Sequence, residues 1–373
     1  MTDFPIRLPY TQAHAIVDAV ARRSPMPVEQ VALSEAIGRI AAEDVTATID
    51  LPSFDNSAMD GFAFRHADLA LASTAGLAIV GTQYAGRDAQ LVIGPGEAIC
   101  ITTGAPLPAG ADSVVMREVT RVDGARLLID GDARHGAHVR REGEDVRAGD
   151  VIMHSGSVLT PTRLALVASM GQPRVAVSRR PTVAVFTTGD ELVEPGLPLV
   201  RGQIYNSNRS LLMGLLRSEG LQPVAWPTLP DDPARMAAAL QDAASSFDLV
   251  ITCGAVSAGD KDFIPGLLQS DGCVHFWKVL MKPGMPLLFG RMGGAHVLGL
   301  PGNPVSVLAT WLTLGRTLVD GMQGRAEGRP RWFAQLASRF DKRHARREFL
   351  RGRMQPGDDA ILWVAPQPAD GSH

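Results

Sequence analysis

Beyond residue 182 the chain alternates short apolar runs with amphipathic stretches: PTVAVFTT, SLLMGLLRSEG, QPVAWP, ARMAAALQDAASS, DLVITC, DFIPGLLQ, HFWKVLM, HVLGL and PVSVLATWLTLGRTLV. Strand-length runs interleaved with helical spacing predict right-handed crossovers and a largely parallel sheet covered by helices. Three of these strands run into glycine-containing loops, TTGDE at 187–191, TCGAVSAGDKDF at 252–263 and GLPGNPVS at 299–306. In a doubly wound sheet such loops collect at the carboxyl edge, where helix N-termini and free backbone N–H groups attract anions. Any one of them could be a tight turn and nothing more. Three in one sheet point to a site for an anionic small molecule.

The flanks read differently. Residues 11–23 carry apolar side chains at helical spacing behind a Thr11 cap, and residues 160–171 form a second helix between Thr160, Pro161 and Gly171. Between about 75 and 130 the runs LAIVG, EAICITT, SVVMREV and ARLLID, separated by Gly, Pro and Asp, predict a small all-β module closed by RREGEDVRAGD. After Gly328 short strands return (WFAQLAS, REFLRGR, AILWVA), in a stretch with ten basic and three acidic residues between Arg325 and Arg353. That excess is either a solvated face or a surface for phosphate or a partner. The fold class expected is therefore multidomain α/β plus β, with a central α/β domain, an inserted β module and a small C-terminal β module. The boundaries are 1–50 with 140–178, 51–139, 179–327 and 328–373.

Composition narrows the function. Apolar residues make up 45% and charged residues 20%, with a net charge of −3, an ordinary globular balance that excludes disordered and fibrous classes. Aromatic residues are only 5%, little material for stacking on bases, so nucleic-acid binding is disfavoured. Three scattered cysteines build neither a disulfide scaffold nor a zinc site, and no leader or membrane-length apolar run is present, so a cytoplasmic location is expected. Nucleotide, zinc and nucleophile-elbow motifs (G-x-G-x-x-G, G-x-x-x-x-G-K, H-E-x-x-H, G-x-S-x-G) are all missing from the sequence.

Several residues carry candidate chemistry. Asp190, Glu191, Asp260 and Asp262 stand beside the glycine loops, where carboxylates hold Mg²⁺ or cap helices. Lys278 and Lys282, four apart in HFWKVLMKPG, are expected on one face of a strand, where two ammonium groups neutralise an oxyanion unless they are merely solvated. FDNSAMDGFAFR at 54–65 and ITTGAPLPAGAD at 101–112 are polar loops that either build turns or face a ligand or neighbouring subunit.

Taken in order, FDNSAMDGFAFR, ITTGAPLPAGADSVVM, RREGEDVRAGD, FTTGDELVEPG, GQIYNSNRSLL, ITCGAVSAGDKDF, FWKVLMKPGMPLLFG and LGLPGNPVSVLATW resemble the MoeA-like molybdopterin molybdenumtransferases, related to the gephyrin E domain. The resemblance spans residues 10–373. It implies an enzyme of molybdenum cofactor biosynthesis that takes adenylylated molybdopterin and molybdate, uses Mg²⁺, and releases AMP. It places Asp60, Thr103, Asp145, Lys278 and Lys282 at catalytic positions, and Glu191, Asp232 and Asp262 at metal positions. The pterin-binding positions it implies are Thr188, Gly189, Asp190, Glu191, Gly254, Ser257, Gly259, Pro301, Gly302, Asn303 and Pro304. Family members are homodimers whose active cleft is completed by N-terminal motifs of the other subunit, and a transient contact with a molybdopterin adenylyltransferase is also implied. The alternative is a non-catalytic molybdopterin-binding scaffold.

Three departures from the family pattern stand out. The loop usually read GGVSVG is here Gly254-Ala255-Val256-Ser257-Ala258-Gly259, placing a methyl group where positive φ or close ligand approach is expected. KPGKP is here Lys282-Pro283-Gly284-Met285-Pro286, one cation fewer. The chain also ends at Gly371-Ser372-His373 where relatives continue, so the terminal module is expected to be incomplete.

Overall fold

The computed structural model describes residues 4–256, 263–358 and 360–367. It forms two compact units, one of Met1–Glu43, Ser155–Thr160 and Arg174–His373, the other of Asp44–His154 and Pro161–Pro173.

The first unit is built on a sheet whose strands lie in the order Ile6–Pro9, Gly272–Lys282, Leu288–Met292, Ala295–Leu300, Leu249–Cys253, Val183–Thr187 and Pro223–Ala225. Pairing is parallel except on either side of Leu288–Met292. Every residue of 183–187, 249–253 and 295–300 is buried, as strands covered on both faces require. Alternate side chains go to opposite layers. Val183 and Val185 join Leu212, Leu216, Trp311 and Leu318 on one face, while Ala184 and Phe186 join Met236, Leu240, Val250 and Val297 on the other.

Three local features differ from the sequence expectation. Helix Tyr10–Arg22 begins one residue before Thr11, with Pro9 at its cap position and no side-chain cap bond, because Ile6–Pro9 is paired to the sheet right up to Pro9. Leu288–Met292, within the run MPLLFGRM, is a strand antiparallel to both neighbours, and its five residues carry no helix or alternation signature of their own. In Gly272–Lys282 the buried positions are 274 and 276, then 279 and 281, with Lys278 at φ 66° between them. The inward alternation therefore slips by one residue at Lys278, so a spacing of four no longer places Lys278 and Lys282 on one face.

Residues 304–322 run as helix, one π turn and helix again. Gly321 packs this run against the first helix, where an added Cβ would lie 2.6 Å from the Ala21 methyl. Gly321→Val is expected to cost on the order of 3 kcal/mol by overpacking, measured as a lowered urea midpoint.

The second unit holds a six-stranded sheet in the order Ser113–Met116, Gly61–Phe64, Glu97–Ile101, Leu77–Gln83, Arg126–Ile129 and Thr120–Asp123. Phe62, Phe64, Leu77 and Leu127 fill one side; Ala63, Ile99, Ile101 and Val114 fill the other. Gly61 is the one residue that fits its place, since a Cβ there would sit 1.8 Å from the Val115 carbonyl oxygen.

A three-stranded sheet of Gln335–Leu336, Gly352–Pro356 and Leu362–Pro366 follows near the end of the first unit. Part of the basic run preceding it is neutralised: Arg329 reaches Asp320 and Glu219, both at 2.7 Å, and Arg325 reaches Asp320 at 3.7 Å. Among the described residues no helix is long and apolar enough to cross a membrane.

His296, 2% exposed, lies in the core with its ring stacked on Phe289 and its Nδ1 without a partner. Burial, helped by the nearby Arg291 charge, pushes its pKa down to about 4. Its folded value is below the unfolded one, so the unfolded chain alone takes up a proton as pH falls. Stability is then full above about pH 6.5 and declines towards about pH 4, by roughly 3 kcal/mol. Urea midpoints across this window should fall less steeply for His296→Gln than for the wild type.

Candidate functional site

Strand 183–187 lies between 223–225 on one side and 249–253 on the other. One crossover, through helix Ser207–Ser218, leaves it for the first neighbour. The next, through helix Pro233–Ser246, returns across it to the second. The connections thus diverge at the carboxyl ends of 183–187 and 249–253, and a crevice must open there. A cleft of about 740 Å³ occupies that place, with Thr188, Gly189, Gly254, Ala255, Gly302 and Asn303 among its walls.

The loops approach each other through their glycines. Gly254 has φ 102°, and a Cβ on it would meet the Thr188 hydroxyl oxygen at 2.5 Å and the Thr188 carbonyl oxygen at 2.9 Å. Backbone bonds lock the same corner, with Thr188 N–H donating to Cys253 O at 3.1 Å and Gly254 N–H to Leu300 O at 3.1 Å. Ala255 takes φ 54°, so the departure noted in the sequence falls at a left-handed position, where an L side chain costs about 1 kcal/mol.

The N-terminus of helix 207–218 is held at this cleft by a buried polar knot. Asn206, fully buried, accepts from Arg209 N–H at 3.2 Å and donates from Nδ2 to Thr187 Oγ1 at 2.8 Å, Glu194 Oε1 at 3.1 Å and Thr228 Oγ1 at 3.3 Å. Arg209 donates to Glu194 at 2.6 Å, to Trp226 O at 2.8 Å and to Thr228 at 3.0 Å. The motifs FTTGDELVEPG and GQIYNSNRSLL contain Thr187, Glu194, Asn206 and Arg209, but sequence reasoning gave none of them a role. The available signal was Asn206 ahead of an amphipathic stretch, a favoured cap. Across the cleft, Asn303 caps the next helix by accepting from Val305 N–H at 2.9 Å and Ser306 N–H at 3.3 Å, with Pro301 buried before it and Pro304 as the first helical residue.

The acids divide. Asp232, which the resemblance puts at a metal position, caps helix 233–246, accepting from Ala234 N–H at 2.9 Å and Arg235 N–H at 3.0 Å. Asp190 accepts from Asp231 N–H at 3.2 Å. Glu191 and Asp231 line the cleft. Among the described residues no group of three or more His, Cys, Asp or Glu could enclose a metal. Mg²⁺ needs only one or two carboxylates beside substrate phosphates, so hard oxygens from Glu191 and Asp231 fit such an ion. Ser257, Gly259, Asp260 and Asp262 lie outside the described residues.

The lysines are separately engaged. Lys278 Nζ stands 4.2 Å from the Trp277 ring centroid, and Lys282 Nζ pairs with Glu348 Oε1 at 3.0 Å. The Lys282 bond is the main cause holding the Glu348 carboxyl below its usual range, and His344 adds to it from 3.3 Å. Met285 contributes backbone, its carbonyl accepting from the Val279 and Leu287 N–H groups.

In the second unit Asp60 and Thr103, each given by the resemblance as a catalytic position, come together. Asp60 Oδ1 accepts from Thr103 N–H at 2.7 Å and Thr103 Oγ1 at 2.9 Å, and these bonds lower its pKa. Asp145 pairs with the Arg140 guanidinium.

An α/β domain with glycine loops and a capped helix N-terminus around a switch-point crevice defines a class that receives anionic small molecules. Residues 8–171 match the MoeA N-terminal region (domain I and II), and residues 184–320 match the probable molybdopterin binding domain. A molybdopterin molybdenumtransferase of Haemophilus influenzae is 40% identical over 94% of this chain and 87% of its own. Molybdopterin molybdenumtransferase 2 of Mycobacterium tuberculosis is 39% identical over 95% and 90%. The solved molybdopterin biosynthesis MoeA protein from Pyrococcus horikoshii superposes with TM-score 0.79 at 30% identity, covering 98% of this chain and 91% of that one. The chain belongs to the MoeA family.

Two substitutions test the loop geometry. Ala255→Gly should leave stability unchanged or raise it by up to about 1 kcal/mol in urea unfolding. Gly254→Ala should lower it by roughly 1–3 kcal/mol, because its methyl group meets Thr188.

Proposed function

We propose that this protein carries out a step of molybdenum cofactor biosynthesis in which molybdate is inserted into adenylylated molybdopterin and AMP is released. The observation that carries the reading is the cleft at the switch point, where three glycine loops and the N-terminus of helix 207–218 surround space suited to a phosphorylated ligand. Displacement at phosphorus asks for positioning and fixed positive charge more than for a covalent intermediate, which agrees with the missing nucleophile motifs. Backbone N–H groups of the loops near Gly189, Gly254 and Gly302 would hold the pterin phosphate. Glu191 and Asp231 would hold Mg²⁺, which supplies charge neutralisation on the phosphate oxygens when bound. Lys278 and Lys282 would attract molybdate, and Asp60, kept ionised by Thr103, would act with Asp145 from the N-terminal motifs.

The reading includes a homodimer, a cytoplasmic location and a transient contact with the adenylyltransferase that makes the substrate. Sedimentation at micromolar concentration tests the dimer.

The activity test mixes purified protein with adenylylated molybdopterin, molybdate and Mg²⁺, then follows AMP and protein-bound molybdenum. AMP release that stops with EDTA and returns with Mg²⁺, with molybdenum retained, is expected. Binding without AMP release would overturn the reading in favour of a non-catalytic relative. Asp60→Ala and Lys278→Ala should each lower the rate about a hundredfold with unchanged thermal unfolding; wild-type rates would remove those two residues from the site.

A further inference from the structure

Lys282 ends the strand Gly272–Lys282, and Glu348 lies beside it in the sheet. Residues 281–282 pair in parallel with 347–348, Lys282 opposite Glu348, and the Phe349 N–H donates to the Lys282 carbonyl oxygen at 2.8 Å. The backbone of the C-terminal segment thus delivers one carboxylate to this lysine, although only three acids occur between Arg325 and Arg353. Glu348 Oε1 stands 3.0 Å from Lys282 Nζ, and Oε2 stands 3.3 Å from His344 Nε2, so both carboxylate oxygens are engaged.

Exposure separates the partners. The Glu348 side chain is 10% exposed and that of Lys282 is 50% exposed. An ammonium carries three N–H donors, and Glu348 takes one of them. An oxyanion can therefore reach Lys282 from the solvent side while the carboxylate stays in place, and it meets a cation whose charge is already balanced.

We propose that Glu348 is a specificity-determining residue: as the fixed counter-ion of Lys282, it sets how strongly this lysine attracts a doubly charged oxyanion such as molybdate. The proposal rests on the reading of Lys282 as a molybdate-attracting residue. Molybdate that enters the site has to leave it for the pterin, and a carboxylate on the lysine weakens the hold on the ion. Coulomb energy scales with the charge of the ligand, so Glu348 opposes a dianion twice as strongly, in free energy, as a monoanion of the same shape. Molybdate and perrhenate are such a pair, both tetrahedral, the first a dianion and the second a monoanion.

The full chain is dialysed to equilibrium against molybdate or perrhenate at one pH and low ionic strength, and bound metal is counted by mass spectrometry. Glu348→Gln keeps an oxygen for Nζ and removes the charge. It should tighten molybdate about tenfold and perrhenate about threefold, the square-root relation that charge alone dictates. Loss of a merely structural contact would loosen both anions or move them by one factor. Lys282→Met should weaken molybdate binding; if it does not, Lys282 is outside the oxyanion site and the reading beneath the proposal falls with it. If Lys282→Met weakens binding while Glu348→Gln leaves molybdate unchanged or weaker, or shifts both anions equally, the proposal alone is overturned. No measurable binding in either wild type or Glu348→Gln overturns it as well. Thermal unfolding checks that each variant is folded, and Glu348→Ala, which also removes the charge, replaces a Gln variant that is not.

Discussion

Everything about the first unit follows from the reversal of strand order at Val183–Thr187. Parallel strands all present their carboxyl ends on one edge, and where the connections from neighbouring strands 183–187 and 249–253 leave in opposite directions that edge stays open. The same arrangement requires helices on both faces, which accounts for the uninterrupted burial of 183–187, 249–253 and 295–300. Thr187, at the carboxyl end of its strand, is satisfied by Asn206.

The crevice is furnished by two kinds of interaction. Glycines with positive φ let the loops after Thr187 and Cys253 come within contact of each other, and backbone bonds from Thr188 and Gly254 lock that approach. Buried hydrogen bonds then hold the surrounding helix end, through Asn206, Arg209 and Glu194 on one wall, and Asn208 with Gly302 across to the other. Rigid donors of this kind can bind an anion without reorganising, a requirement for stabilising charge during phosphoryl displacement.

The α/β order was legible because its strands and helices carry different periods and its loops carry glycine. The edge-strand role of Ile6–Pro9 was not, since IRLP is too short to show alternation and its partner lies in 272–282, far along the chain. Leu288–Met292 escaped for a similar reason: a five-residue apolar run between loops shows no period of its own. The slip at Lys278 is a backbone event with no local sequence mark, so strand parity misplaced the two lysines. Glycine loops announced the cleft, but the asparagines that hold its walls act through partners as far as 94 residues away, which spacing cannot reveal. The bond between Asp60 and Thr103 was not foreseen either: their motifs lie 43 residues apart and each was read by itself.

The most direct test of the cleft as the substrate site is hydrogen–deuterium exchange of the full chain with and without bound molybdopterin. Slowed exchange concentrated in 188–191, 206–209, 254–256 and 301–306 is predicted, because those backbone N–H groups would donate to the ligand or be covered by it. Saturating binding with unchanged exchange in all four segments would contradict the account.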